Sequence, residues 1–242
     1  MKWDLSTDVI VVGAGYAGAR AAIAAHDAGA KVLILEKLTH SGGISVMSGG
    51  CVVFVSDTNA AIKYFSHLSG GRVSNEMVAA FVNGLADNLE DIEQLVQVDN
   101  ASFLIRNRPG IYPFPGREGL NSLILTHVSG FKEFSWYPSA GSYNGALLMA
   151  MLLDNLKDRK IPIQYEVSAK KLIQNADKQI IGIQTDRSGK ILNIRARKGV
   201  VLACGGFEFD EWAKIQFVEA KPIYGLEHIP FYWVTHIENM TF

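Results

Sequence analysis

Cysteine, charge imbalance and long apolar runs are all scarce in this chain. Its 242 residues include two cysteines, Cys51 and Cys204, far apart and in no CxxC pair. Both lie in or beside glycine-rich segments, so a redox pair is conceivable, but small buried residues are the preferred reading. Lysine and arginine number 23 against 24 acidic residues, a net charge of −1. That balance gives no general attraction to nucleic acid or to an anionic membrane. The six histidines, such as His40, His67 and His127, are scattered and have no metal-ligand spacing. No apolar stretch approaches the roughly 20 residues that cross a bilayer. The segment Met1-Lys2-Trp3-Asp4 leads almost directly into the first apolar run. No export signal is therefore expected, and the cytoplasm is the expected location. What remains is 48% hydrophobic residues, spread over a length that suits one large domain or two small ones.

The opening carries the strongest signal. The apolar run Val9-Ile10-Val11-Val12 leads into Gly13-Ala14-Gly15-Tyr16-Ala17-Gly18, then an alanine-rich stretch and the run Lys31-Val32-Leu33-Ile34-Leu35, which ends on Glu36. Strand, glycine turn, helix, strand and acid together form a dinucleotide-binding fingerprint. Gly13 permits the tight turn, Gly15 lets the backbone approach a pyrophosphate, and Gly18 lets helix and sheet pack closely. The helix beginning near Gly15 aims its free N–H groups and positive dipole end at the phosphates. Glu36 stands where a carboxylate accepts hydrogen bonds from ribose hydroxyls and repels a 2′-phosphate.

Downstream, Gly42-Gly43-Ile44-Ser45-Val46-Met47-Ser48-Gly49-Gly50 suits a loop in close backbone contact with a large flat ligand. A short helix over residues 58–68 and a long amphipathic one over 75–97 are expected. The apolar stripe of the latter, including Met77, Val78, Phe81, Val82, Leu85, Leu89, Ile92 and Val96, is read as core. A short strand at Ser102–Ile105 precedes a long loop from Arg106 to Gly119, where Arg106, Arg108 and Arg117 either bind an acidic substrate or, preferably, face water. A helix follows at Ser142–Arg159. Strands are expected at Ile163–Val167, Ala169–Gln174, Gln179–Asp186 and Ile191–Ala196, and then a buried one at Lys198–Cys204 ending in Gly205-Gly206.

In this order and spacing, four segments resemble the flavoprotein family of soluble fumarate reductases, the succinate dehydrogenase flavoprotein subunit, urocanate reductase and 3-ketosteroid dehydrogenases. They are Gly13–Gly18 with Glu36-Lys37, the loop Gly42–Gly50, the stretch from Gly141 through Val167 to Gly182, and Val201-Leu202-Ala203-Cys204-Gly205-Gly206-Phe207. The resemblance implies an α/β fold: a Rossmann-like FAD-binding domain over residues 1–210, with a parallel sheet and an antiparallel β-meander. It implies that Gly13, Ala14, Gly15, Ala17 and Gly18 cradle the FAD pyrophosphate while Glu36 and Lys37 meet the adenosine. Gly42, Gly43, Ser45, Ser48, Gly49 and Gly50 would line the pyrophosphate and isoalloxazine, and Val167 would pair its backbone with adenine. Ala203, Cys204 and Gly205 would touch the cofactor, with Cys204 replacing the family's usual threonine or serine. Gly43 occupies the position of the histidine that attaches FAD covalently in membrane-bound members, so non-covalent FAD is expected.

The implied function is an FAD-dependent oxidoreductase moving hydride between flavin N5 and a C–C bond activated by a carbonyl or carboxylate. Its partners would be a small-molecule substrate and an unidentified electron carrier. No proton-handling residue can be named; Tyr112, Tyr137 and Tyr143 have no motif behind them. The resemblance fades past Tyr224, and the tail within 211–242 matches nothing in the family pattern. The expectation is therefore a chain cut before the capping domain, with an exposed apolar sheet edge. The alternative to an active enzyme is an inactive fragment that binds FAD weakly or needs a partner chain. An NAD-binding dehydrogenase is disfavoured, because NAD alone requires neither the double-glycine loop nor the meander.

Overall fold

The computed structural model describes residues 2–98, 100–106, 112–132, 144–206, 212 and 216. Its elements in chain order are β1 (Leu5–Val12), α1 (Tyr16–Asp27), β2 (Val32–Leu35), β3 (Cys51–Val55), α2 (Thr58–Leu68), α3 (Asn75–Ala86), α4 (Asn88–Leu95), β4 (Ser102–Arg106), β5 (Leu120–His127), α5 (Asn144–Asp158), β6 (Ile163–Gln164), β7 (Ser168–Gln174), β8 (Ile180–Arg187) and β9 (Lys190–Leu202). The chain divides into two compact units, one of residues 1–47 with 152–242 and one of residues 48–151.

The first unit is built on one six-stranded sheet in the order β6-β2-β1-β9-β8-β7. The strands β6, β2, β1 and β9 run parallel, while β9, β8 and β7 form an antiparallel meander. This is the expected α/β architecture, with the meander continuous with the parallel sheet. Alternation along β1 sends Ile10 and Val12 to one face, where they pack with Leu33, Leu35, Val167, Ile183 and Ile194. Val11 and Ile34 point to the other face and are also fully buried. A strand buried on both faces reads as a continuous apolar run, which is why 9–12 and 32–35 look alike in sequence. The helix α1 lies against β1, β2 and β9 and buries Gly18, Ala19, Ala22 and Ile23.

Three expectations change here. The two strands expected at 191–196 and 198–204 are one 13-residue strand, β9. Its pairing with β1 continues past the polar Arg197-Lys198 through a register shift between Thr7 and Val9. The end of β9 is not buried, since Leu202 is 58% exposed. The strand expected at 163–167 stops at Gln164, because Glu166 takes a left-handed conformation with φ 60° that breaks the extended run.

In the second unit β3, β5 and β4 form an antiparallel sheet in that order. Capped starts fix the helices: Asp57 accepts from Ala60 N at 3.0 Å and Ser74 from Met77 N at 3.3 Å. Ala61, Tyr64, Val78, Val82 and Leu120 make the core of this unit. The helix expected over 75–97 is two helices that meet at Asp87-Asn88, residues whose side chains compete with the helix ladder. Its stripe is only partly core, since Met77 and Phe81 are 65% and 54% exposed. Cys51 is also exposed rather than buried. Arg117 is exposed, as preferred for it, while Arg108, Tyr137 and Tyr143 lie outside the described residues.

Candidate cofactor site

The carboxyl ends of β1, β2 and β9 surround a cleft of about 390 Å3 within the first unit. Such volumes are typical of small-molecule sites, which run from about 300 to 1,000 Å3. Its floor is the turn between β1 and α1, and glycine is obligatory there. Gly13 has φ +100°, and a Cβ on it would lie 2.4 Å from the Ala203 carbonyl oxygen. A Cβ on Gly18 would lie 1.9 Å from the Gly13 oxygen. Gly15 caps α1 without a side chain, so no group of its own stands between the helix N-terminus and the cleft. Tyr16 N–H is taken by Ser45 Oγ at 3.1 Å. The N–H groups of Ala17 and Gly18 meet no protein acceptor among the described residues.

A second segment is clamped across this turn. Gly42 N–H donates to the Ala14 carbonyl at 2.9 Å and Ser45 N–H to the Gly42 carbonyl at 3.0 Å. Gly42 and Gly43 hold φ +112° and +48° to make the crossing, and a short 3₁₀ turn, Gly43–Met47, replaces the open loop expected there. Ser45 thus ties the two loops together while its O–H remains able to donate.

Glu36 is 8% exposed, and the fold itself uses its carboxylate. Oε2 accepts from Ala14 N–H and Oε1 from Leu38 N–H, each at 2.9 Å. Each oxygen keeps a further lone pair. Lys37 Nζ, next along the wall, is buried without a hydrogen-bond partner among the described residues. Val167 is buried with its N–H already donated to the Glu36 carbonyl at 2.9 Å. The backbone pairing with adenine expected of Val167 therefore falls to its carbonyl. Burial pushes the Cys204 thiol above its ordinary value, the Ala203 N–H opposes this, and the nearby Glu36 charge adds to it. Burial also lowers His40, against an upward pull from Glu36.

Of the residues singled out from sequence, Gly13, Ala14, Gly15, Ala17, Glu36, Lys37, Gly42, Gly43, Ser45, Val167, Ala203, Cys204 and Gly205 line this one cleft. Gly18 sits beneath it as packing. Ser48, Gly49 and Gly50 do not line it and belong to the second unit. There Gly50 is required by the start of α5, where a Cβ would lie 2.2 Å from Asn144. Leu38, whose N–H holds Glu36, and Ser168 with Ala169 also line the cleft and were not anticipated. Their roles run through backbone position, which leaves no residue-type signal.

Residues 8–226 match the family of the FAD binding domain. The chain belongs to that family. The FAD-binding chain is 28% identical over 203 residues to the NADH:fumarate oxidoreductase of Klebsiella pneumoniae, which covers 84% of this chain and 20% of that protein. It is 39% identical over 106 residues to the 3-oxo-5-alpha-steroid 4-dehydrogenase of Comamonas testosteroni, which covers 39% of this chain and 20% of that one. Among solved structures, the 3-ketosteroid delta1-dehydrogenase of Sterolibacterium denitrificans superposes with a TM-score of 0.75 at 23% identity, covering 90% of this chain and 50% of that one. That last likeness shows the fold. The chain thus spans half or less of the length of these proteins.

FAD is the cofactor of this family, and the cleft fits it on its own chemistry. Unused N–H groups at the start of α1 and a buried, unpartnered ammonium suit a diphosphate, and Glu36 suits a ribose. No helix among the described residues is long and apolar enough to cross a membrane.

Proposed function

We propose that this FAD-binding chain serves an oxidoreductase that interconverts saturated and unsaturated C–C bonds beside a carbonyl or carboxylate. The observation that supports this most is a single FAD-type cleft in a chain related to both fumarate and 3-oxosteroid enzymes. Those two substrate classes share only a reacting carbon–carbon bond next to a carbonyl carbon. Bound FAD would supply the two-electron hydride exchange with that bond.

In this reading the protein's own residues bind and orient. The Ala17 N–H group and the Ser45 hydroxyl hold the diphosphate at the positive end of α1. Glu36 uses its remaining lone pairs for ribose hydroxyls, and Ala14 and Leu38 keep that carboxylate from turning away. The Val167 carbonyl accepts from the adenine amino group. Ala203 and Gly205 bring backbone against the cofactor, while Cys204 fills volume as a protonated thiol. Gly43 offers no side chain for attachment and no histidine is among the described residues lining the cleft, which supports a cofactor held without a covalent bond.

The test is turnover by the FAD-loaded chain. Fumarate and acrylate would be offered with a reduced viologen, and a 3-oxosteroid with an artificial electron acceptor. Turnover of any of them is the expected result, and none with any of them would contradict the proposal. A second reading, in which the chain binds FAD but turns over only beside further polypeptide, is favoured by Leu202, 58% exposed on the rim of the cleft.

A further inference from the structure

One face of α3, in the second unit, is apolar and stands open to solvent. Val78 and Val82 turn to the core, while Met77 and Phe81, 65% and 54% exposed, share an outward face with the exposed Ala80 and Gly84. Such a face on a soluble chain marks a contact surface. Phe81 is held in place, its ring edge-on against Phe65 with centroids 5.1 Å apart. Nothing among the described residues requires Gly84: a Cβ there would meet no atom within 4 Å, and glycine weakens a helix. The two ends of α3 differ in charge. Arg72 lies shortly before the Ser74 cap and Asp87 directly after Ala86; both are exposed and neither is in an ion pair among the described residues.

We propose that two copies of this chain meet on that face, α3 antiparallel to α3, about a two-fold axis near Ala80-Phe81. The axis sets Met77 of one copy against Gly84 of the other and Phe81 against Ala80, so each large side chain meets a small one. It also brings Arg72 to within one residue of Asp87 across the interface, twice per dimer, and sets the two helix dipoles antiparallel. A parallel pairing has neither advantage, since Phe81 would meet Phe81 and Arg72 would meet Arg72. Val73, 39% exposed beside the cap of α3, extends the apolar area at both ends of the pair. A surface of this extent lies near the lower limit for specific interfaces, about 1,000 Å2 in total, so the dimer is reversible rather than obligate.

The experiment is sedimentation equilibrium of the full chain from about 1 to 200 μM, with melting temperature as the check that each variant is folded. The parent is expected to show a monomer–dimer equilibrium with a Kd of about 1–100 μM. Phe81→Ser and Gly84→Met should each raise that Kd about tenfold or more, the first by removing a knob and the second by filling the notch it faces. Arg72→Asp and Asp87→Arg should each weaken the dimer about threefold or more, and the chain carrying both should return to within about twofold of the parent. A parent that stays monomeric over the whole range would overturn the proposal and leave the face to a different polypeptide. A dimer untouched by Phe81→Ser would overturn it as well, as would a double charge reversal that pairs no more tightly than either single one.

Discussion

The six-stranded sheet ends in two hollows. At the amino ends of β1, β2 and β6 lies a groove of about 620 Å3, and at the carboxyl ends lies the smaller cleft of about 390 Å3. Around the larger hollow several polar groups engage one another. Thr7 Oγ1 donates to the Lys31 carbonyl at 2.7 Å, Lys31 N–H donates to Asp8 at 2.9 Å, and Arg159 donates to Asp27 at 2.8 Å. In the smaller one, donors and a buried ammonium stand unused and Gly13 holds a left-handed conformation against the Ala203 backbone. Volume measures room, whereas unsatisfied polar groups and enforced glycines mark where a ligand completes the structure.

The sharpest way to break this contrast is to put a side chain on a glycine at each end. Gly18→Val meets the Gly13 carbonyl at 1.9 Å even at its Cβ. It should cost more than about 4 kcal/mol and leave little folded protein in a denaturant titration. Gly29→Ala, in the amino-end groove, has open space and only an unfavourable φ of +82°. It should cost about 1 kcal/mol and leave FAD affinity unchanged by calorimetry. Equal costs at the two positions would erase the distinction between the ends.

Glu36→Gln is the intermediate case. A carboxamide cannot accept from both Ala14 and Leu38 while also receiving ribose hydroxyls. We expect about 1.5–3 kcal/mol of lost stability from the weakened charge-assisted bonds, and about tenfold to a hundredfold weaker FAD binding. Unchanged affinity would place the ribose elsewhere.

The smallest effect belongs to the amino-end groove and to pH. The Arg159 side chain, hydrogen-bonded to Asp27, holds that carboxyl below its ordinary value of 3.8. A carboxylate lowered in the folded state stabilises above its unfolded value, and that stability is lost as pH falls through the lower folded value. Because Asp27 is exposed to solvent, the contribution should stay below about 0.5 kcal/mol. Urea titrations at pH 6 and pH 3 should therefore differ slightly less in Asp27→Asn than in the parent chain, and FAD affinity should be the same in both.

The cleft was legible because its physics acts on residue identity. Only glycine survives at Gly13 and Gly18, and the acid ending β2 is fixed by the turn it faces. The second unit was less legible for equally physical reasons. The run Cys51–Val55 forms β3, but it follows four glycines in a loop-like segment, and its partner β5 is far along the chain. Met77 and Phe81 share a helical stripe with Val78 and Val82, yet only the latter pair faces the core of the unit. Periodicity gives an apolar face without saying how wide a part of it another element covers. The short stop of β6 came from one residue, Glu166, in a conformation no sequence pattern announced.

The central claim is a carboxyl-end cleft that holds FAD without a covalent bond. Its most direct test is the visible spectrum of the purified chain, followed by acid or heat denaturation and inspection of the supernatant. Flavin absorbance in the native protein that passes wholly into the supernatant is the predicted result. A colourless folded protein that takes up no added FAD, or flavin that stays with the precipitate, would contradict it.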